Sequence, residues 1–398
     1  MVIVVGSGAG GATVAKELAT IDVPVTLIEK GPEIEEKDAF KHYSNIDSEV
    51  KVMRTICLGG TTTVSAGNGM RCLEEELKHV GIDLKSEFEE AEKELGVGVL
   101  PDSLFGEGTR RIMEAAENLG LDVQKMPKFI DPAKCKSNGR CTFGCPEGAK
   151  WSALCFVKEA ERKGSRIITG MSVDGLVVKN GEVKGVRSGD RVFSDDIVVL
   201  SAGALETPRL LNRIGLPTSS SSLFVDTFIT VGGIVKGIQF DKEIPMNAVI
   251  RFEDFILCPH FSKHLAERIE KRELKASQGD IVGIMVKIKD DEVGKVSDEE
   301  IKKGVTNRDA TIISEGASIA GSVLEKVGVD PSTFVSTPLR GAHPGGTAMV
   351  GIAVDKNLAT EVSGLYVADA SVLPAAPGAP PILTIVALAK YVARIIAR

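Results

Sequence analysis

The chain has 398 residues, 43% of them hydrophobic, and a formal net charge of −7 at pH 7. That size and apolar content suit one large domain or two entwined ones with a sizeable core. Basic residues are scattered among acidic ones, which excludes the basic stripe of a nucleic-acid partner.

Residues 2–5, VIVV, read as a buried strand, residues 6–11 as a tight turn and residues 13–20 as a helix with apolar positions three and four apart. Because that strand starts at residue 2, no signal or transit peptide is expected before it, and a cytoplasmic location follows as an expectation. A second strand at 23–28 ends at Glu29, completing a strand–turn–helix–strand unit. Within it lies Gly6-x-Gly8-x-x-Gly11. In that context the first glycine makes the turn, the second lets backbone approach a pyrophosphate, and the third packs helix on strand. The helix start offers free N–H groups to phosphates, so Gly6, Ser7, Gly8, Ala9, Gly10 and Gly11 are candidate cofactor contacts. Glu29 stands where a carboxylate binds ribose hydroxyls, with Lys30 beside it.

Residues 57–71, CLGGTTTVSAGNGMR, form an irregular Gly- and Thr-rich segment, suited to close backbone approach. Helices are expected at 74–95 and 108–119, around a turn at Pro101, then a cysteine loop at 134–148 and a helix at 151–163. Short strands fill 166–200, with a turn at Asn180-Gly181 and a buried run at 197–200, before SAGALETPRLLN begins another helix. The run PTSSSS at 217–222 is the linker candidate. Strand-like runs follow at 228–235, 246–257 and 281–288, so residues 216–335 are expected to form a separate α+β substrate layer with an antiparallel sheet and helices on one side. Residues 1–215 and 336–398 together would make an α/β, Rossmann-like domain from both chain ends. The apolar stretch 382–397 is broken by Lys390 and Arg394, falls short of a membrane span, and reads as a helix packed on a sheet.

Seven cysteines without a secretory signal argue for thiols or metal ligands. Cys57, Cys72, Cys155 and Cys258 are scattered and expected to be buried thiols. Cys135, Cys141 and Cys145 form C-x5-C-x3-C-P on a glycine-containing loop, a pattern that suits iron–sulfur ligation. Zinc held by three cysteines and a fourth ligand, or three free thiols, are the alternatives.

Further segments carry a family likeness. Gly59-Gly60-Thr61-Thr62, the SAGAxxTPxLL segment (Ser201, Ala202, Gly203, Ala204, Thr207, Pro208, Leu210, Leu211), HPGGT with His343, and GLYVADAS with Asp369 resemble signatures of the glucose–methanol–choline (GMC) oxidoreductase family. The resemblance covers most of residues 1–215 and 336–398. It implies FAD, with Gly59, Gly60, Thr61 and Thr62 against the flavin and Asp369 near its ribityl and pyrophosphate groups. Ala202, Gly203, Ala370 and Pro381 would also contact the cofactor. The alternative for Asp369 is the cap of a turn at 370–372, a role that does not exclude cofactor contact. Val173 resembles the position whose backbone meets adenine, though a plain strand valine fits as well.

By the same resemblance His343 faces the reactive edge of the flavin. It would accept the hydroxyl proton of a CH–OH donor while hydride leaves for flavin N5. The family's second side chain, His or Asn four residues before the Thr of the final motif, falls on Pro380, counted from Thr384. Proline offers the substrate oxygen no donor or side-chain acceptor. Either His343 works alone, or a middle-layer histidine, His260, replaces the partner, or the substrate is not a simple alcohol. The cysteine loop resembles the cluster loop of membrane-linked FAD-dependent glucose dehydrogenases, which hold a three-iron [3Fe-4S] cluster; fatty-alcohol oxidases of the family also carry cysteine-rich loops there. That implies a one-electron exit to an external carrier protein or subunit, and a dehydrogenase. Two other readings are a reductase of a carbonyl or activated double bond and a non-catalytic electron-transfer subunit. In the enzyme readings the substrate is a small-molecule alcohol or carbonyl compound.

Overall fold

In the computed structural model, which describes residues 1–398, all four apolar residues of the strand Val2–Val5 are buried, as a central strand of a parallel sheet covered on both faces requires. The sheet runs Leu365–Val367, Val198–Leu200, Val2–Val5, Val25–Ile28, Arg166–Ile168, every pair parallel. Ile3 pairs with Thr26 on one side and Val198 on the other, and Leu365 pairs with Val198 in turn. Strands from both chain ends therefore share one sheet. This is the α/β, Rossmann-like arrangement expected from the sequence.

The helix Ala9–Thr20 packs against Leu154–Arg162 and against the C-terminal helix Ile382–Ile396. The charge that interrupts the last apolar run has a structural cause. Lys390, 1% exposed, reaches Glu17 at 2.6 Å and Glu94 at 2.9 Å, and Lys16 bonds the same two carboxylates at 2.9 and 2.7 Å. Three helices are joined by one ion network. Lys390→Met is expected to lower the unfolding free energy by about 2 kcal/mol in urea melts, because it strips a buried cation from two half-buried carboxylates. An unchanged midpoint would mean that Lys16 alone holds them.

A second sheet, mostly antiparallel, covers the middle of the chain. Its order is Lys51–Val52, Arg340–Gly341, Thr227–Ile234, Ile281–Ile288, Phe255–Pro259, Ala248–Arg251, Val123–Lys125. It thus draws strands from either side of residues 216–335 as well as from within them. Side chains alternate along these strands. Ile229, Val231, Val282, Ile284 and Val286 lie beneath the helices Glu107–Asn118 and Asn307–Val327, whereas Phe228, Thr230, Met285 and Lys287 point the other way. That second face looks onto the functional site.

Local departures from the sequence reading have local causes. The stretch 74–95 is two helices, Glu74–His79 and Lys85–Leu95, since Gly81 turns the chain at φ +86. The run 246–257 folds back on itself as Ala248–Arg251 and Phe255–Pro259. The serine-rich stretch is no loose linker: Ser219 is buried, donates to Gly346 O and accepts from Met349 N, both at 2.8 Å. Asn180 and Gly181 do turn between Gly175–Lys179 and Glu182–Ser188, both with positive φ. No helix is long and apolar enough to cross a membrane.

Candidate active site

One cavity of about 610 Å³ runs from the glycine turn to the second sheet. At one end are Gly6, Ser7, Gly8, Ala9, Gly10, Glu29, Lys30 and Val173; Gly60, Thr61, Thr62, Ala202, Gly203, Asp369, Ala370 and Pro381 continue the wall, and His343, His260 and Pro380 complete it. Gly11 and Gly59 do not line it. A Cβ on Gly11 would sit 1.9 Å from Gly6 O, so this glycine serves helix packing. Gly59 donates its N–H to Ser7 Oγ at 2.9 Å and locks the second glycine segment onto the first.

The glycine turn shows what it is built to hold. Cβ atoms on Gly6 and Gly10 would meet Ser201 O at 2.3 Å and Ala368 O at 1.7 Å, so protein packing explains both. Gly8 has nothing within 4 Å of such an atom. Its missing side chain leaves open space at the start of a helix with no side-chain cap and no acidic residue in its first turn. That start presents unpaired N–H groups and a positive dipole end, which fit the pyrophosphate of FAD.

Glu29 accepts from Ser7 N (2.9 Å) and Ser7 Oγ (2.6 Å) with one oxygen and from Gly31 N (2.7 Å) with the other. Burial pushes its carboxyl pKa up and these hydrogen bonds pull it back. A carboxylate offers about four acceptor sites, so one remains for a ribose hydroxyl. Asp369 is both a cap and a staple. One oxygen accepts from Ser371 N at 2.8 Å; the other takes Gly203 N at 2.8 Å and Thr207 Oγ1 at 2.6 Å. The SAGA and ADAS segments are thereby tied together, and Thr347 Oγ1, donating to Ala204 O at 2.7 Å, adds the HPGGT segment.

His343 lies on the chain that pairs with residues 224–228. Its N–H donates to Val225 O, and Gly345 and Phe224 exchange hydrogen bonds. This register brings Asp226 onto the histidine ring. His343 Nδ1 and Asp226 Oδ2 are 2.8 Å apart, and Asp226 Oδ1 accepts Gly378 N at 2.9 Å. Asp226 is fully buried and takes φ 50, a conformation uncommon for a residue with a side chain. Burial pushes its carboxyl up to about 7, against the pull of Lys287. Burial, with Lys287 adding to it, holds the His343 pKa well below the usual imidazole range. His260 stands in the same wall, its Nδ1 3.0 Å from Thr230 Oγ1, and burial pushes its pKa down to about 3. No hydrogen bond joins His260 to His343; the group on His343 is Asp226, which the sequence reading did not single out.

The cysteine expectations are corrected. Cys135, Cys141 and Cys145 share an apolar pocket with Leu100, Phe105, Ile130 and Ile244, but no group of three Cys, His, Asp or Glu side chains is arranged to hold a metal ion. Cys145 Sγ instead accepts from Ala149 N at 3.3 Å, and burial pushes the Cys141 thiol up to about 11. Burial raises the Cys135 thiol as well, so Cys135 and Cys141 pack as protonated, weakly polar groups, and neither the iron–sulfur cluster nor a zinc site has support in the geometry. The loop reaches the cavity through Thr142 and Phe143. Cys57, Cys72 and Cys258 are buried thiols as expected, whereas Cys155 is exposed on its helix.

Comparison with known proteins agrees with this layout. The N-terminal GMC oxidoreductase family model matches residues 2–232 and the C-terminal one residues 300–389. The chain is 34% identical to a protein of Methanocaldococcus jannaschii over 98% of both chains. It is 23% identical to a long-chain-alcohol oxidase of Arabidopsis thaliana, covering 99% of this chain and 66% of that one. The crystal structure of a pyridoxine 4-oxidase from Mesorbium loti superposes with a TM-score of 0.76 at 17% identity, over 100% of this chain and 99% of the other, a likeness of fold. With a cradle assembled from both chain ends and two family models spanning them, the chain belongs to the GMC oxidoreductase family.

Proposed function

We propose that this chain is an FAD-dependent oxidoreductase that removes a hydride from a CH–OH donor, with His343 as the base. The observation that carries the reading is the 2.8 Å contact between His343 Nδ1 and Asp226, in the wall of the cavity that also contains the dinucleotide cradle. Bound FAD supplies the two-electron acceptor. The alcohol oxidase and the pyridoxine oxidase among the similar proteins point to the same substrate class.

The chain's own part is proton handling. With Asp226 ionised, its carboxylate accepts Nδ1–H and fixes the tautomer that leaves the Nε2 lone pair free. Burial keeps the ring neutral and able to take a proton. When Nε2 accepts the hydroxyl proton, the new imidazolium lies against Asp226, which offsets its charge. Pro380 and Pro381 supply an apolar wall where a second polar group was expected. No step is assigned to Cys135, Cys141 and Cys145. We also propose an external electron carrier as the acceptor from the reduced cofactor.

The test is anaerobic reduction of the flavin by a panel of alcohols, followed by its visible absorbance. Failure of every alcohol, together with reduction of a carbonyl or alkene by the reduced protein, would reverse the assigned direction. The rate should also depend on pH. Below about 7 Asp226 holds the proton, Nδ1 accepts from it and Nε2 carries hydrogen, so the base is lost. The reduction rate should therefore rise about tenfold per unit on the acid side and level off above about 7. A flat profile would remove the Asp226–His343 pair from the rate-limiting step.

A further inference from the structure

Three residues stand abreast on the cavity face of the second sheet. Phe228 is the direct cross-strand partner of Lys287 on one side and of Arg340 on the other. The Lys287 ammonium lies 4.8 Å from the Phe228 ring centroid and the Arg340 guanidinium 5.0 Å from it. All three line the cavity. Lys287 is 2% exposed and Arg340 8%, so neither charge is solvated as a surface cation would be.

Neither has the partners that burial demands. Arg340 makes one long bond, Nη2 to Ser262 Oγ at 3.3 Å, and its Nε has none. Lys287 makes one at 3.5 Å, to the backbone O of Asp226. No carboxylate lies within ion-pair distance of either, whereas the buried Lys16, Lys150, Lys303 and Lys390 each meet an acid, and the buried Lys128, which has none, donates to Ala66 O, Asn68 Oδ1 and Pro245 O. The nearest acidic groups are committed elsewhere. Asp226 accepts from His343 and Gly378, and Glu267, on the wall of the same cavity, bonds His264. Asp290, which also acts on Lys287, is paired with Lys303, so the two buried cations face only carboxylates already engaged, an arrangement that costs stability unless a ligand brings negative charge. The phenyl ring between them presents an apolar face to the carbon atoms of such a ligand.

We infer that the CH–OH donor is itself an anion, a hydroxy acid or hydroxyalkyl phosphate, whose oxygens are held by Arg340 and Lys287 across Phe228 while its hydroxyl faces His343. This rests on the oxidoreductase reading above and specifies its substrate class. Arg340 offers planar paired donors for a carboxylate or phosphate, and Lys287 a compact charge.

The FAD-loaded protein would be reduced anaerobically with matched pairs: lactate against 1,2-propanediol, and mandelate against 1-phenyl-1,2-ethanediol. Glycerol 3-phosphate against glycerol is the phosphate arm. Non-reacting benzoate and inorganic phosphate would be titrated against the flavin spectrum, which reads binding without turnover. The expected result is that at least one anion of a pair outruns its neutral partner more than tenfold in kcat/KM. Arg340→Met should raise its KM about 50-fold with a smaller change in kcat, and Arg340→Lys should recover part of that loss. Lys287→Met should weaken benzoate or phosphate binding in the same sense. Equal use of anion and neutral partner, with anion titrations unaltered in both variants, would overturn the inference and leave the oxidoreductase reading intact. A shift in flavin potential without any loss of anion affinity would overturn it too, by assigning the two cations to the cofactor. If no alcohol of either kind reduces the flavin, the functional reading falls, and the benzoate and phosphate titrations still decide whether this wall binds anions.

Discussion

Replacing His343 with alanine should slow anaerobic flavin reduction by the best alcohol about 10³-fold, with FAD still bound and the visible spectrum of the oxidised protein little changed. A positioned general base contributes about 10² to 10⁴ in rate; of the other imidazoles on this cavity wall, His260 is bonded to Thr230 and His264, in an exposed contact, to Glu267. Asp226→Asn should cost less, about 10- to 100-fold. The amide can still bond Nδ1 but neither offsets the imidazolium nor imposes the tautomer. It should also abolish the rise in rate through about pH 7, a readout that loss of packing alone would not produce. Reduction of His343→Ala at the wild-type rate would exclude His343 as the base. An Asp226→Asn profile that keeps the rise would place the titrating group elsewhere.

Two glycines of one motif should fail in opposite ways. Gly8→Val adds a side chain to open space, at a residue with ordinary extended backbone (φ −67), so the chain should fold with the melting temperature of the wild-type apoprotein. The added methyls would stand where the pyrophosphate approaches. FAD affinity should fall at least about 100-fold, about 2.8 kcal/mol, measured by quenching of FAD fluorescence. In Gly10→Val the first added atom lies 1.7 Å from Ala368 O, a backbone atom that cannot swing aside. That variant should be largely insoluble, or melt far below the apoprotein. If Gly8→Val binds FAD normally, the cofactor does not pass over that glycine; if Gly10→Val is stable, the strand Leu365–Val367 and the residues after it are less firmly seated than their hydrogen bonds indicate.

What the sequence revealed and what it hid follow one physical division. The glycine turn, Glu29 and the VIVV strand carry a pattern contained within thirty residues, and each stands where that local pattern placed it. His343 and Asp369 were legible through short segments whose glycines must pack closely: a Cβ on Gly345 or Gly346 would strike the Phe224 ring. Asp226 was not legible, because its role arises only when residues 224–228 pair with 341–345, about 117 positions away. Lys287 did leave a trace, a single charge inside the apolar run IVGIMVKI at 281–288, which reads as a buried cation once the alternation is followed. The cysteine loop misled, because spacing along a chain does not fix where sulfurs point, and here one of them serves a backbone N–H. The domain division at 216–335 likewise rested on pattern alone, and the second sheet recruits strands at 51–52, 123–125 and 340–341 that are too short to show any period.

The order of strands in the parallel sheet also governs how the protein comes into being on the ribosome. Residues 2–5 emerge first, yet the Leu365–Val367 strand of their sheet and the C-terminal helix over Ala9–Thr20 emerge last. At roughly 5–20 residues per second, the first helix waits roughly 20–80 s for its cover. Gly203 and Thr207 wait roughly 8–33 s at the same rate for Asp369, the carboxylate that holds them in place. Contacts this distant in sequence are slow to form, and the nascent apolar sheet is meanwhile open to wrong partners. Cofactor capture therefore follows the emergence of the last thirty residues, which carry Asp369, Pro380 and Pro381 of the cavity wall and so time the moment at which the cradle closes.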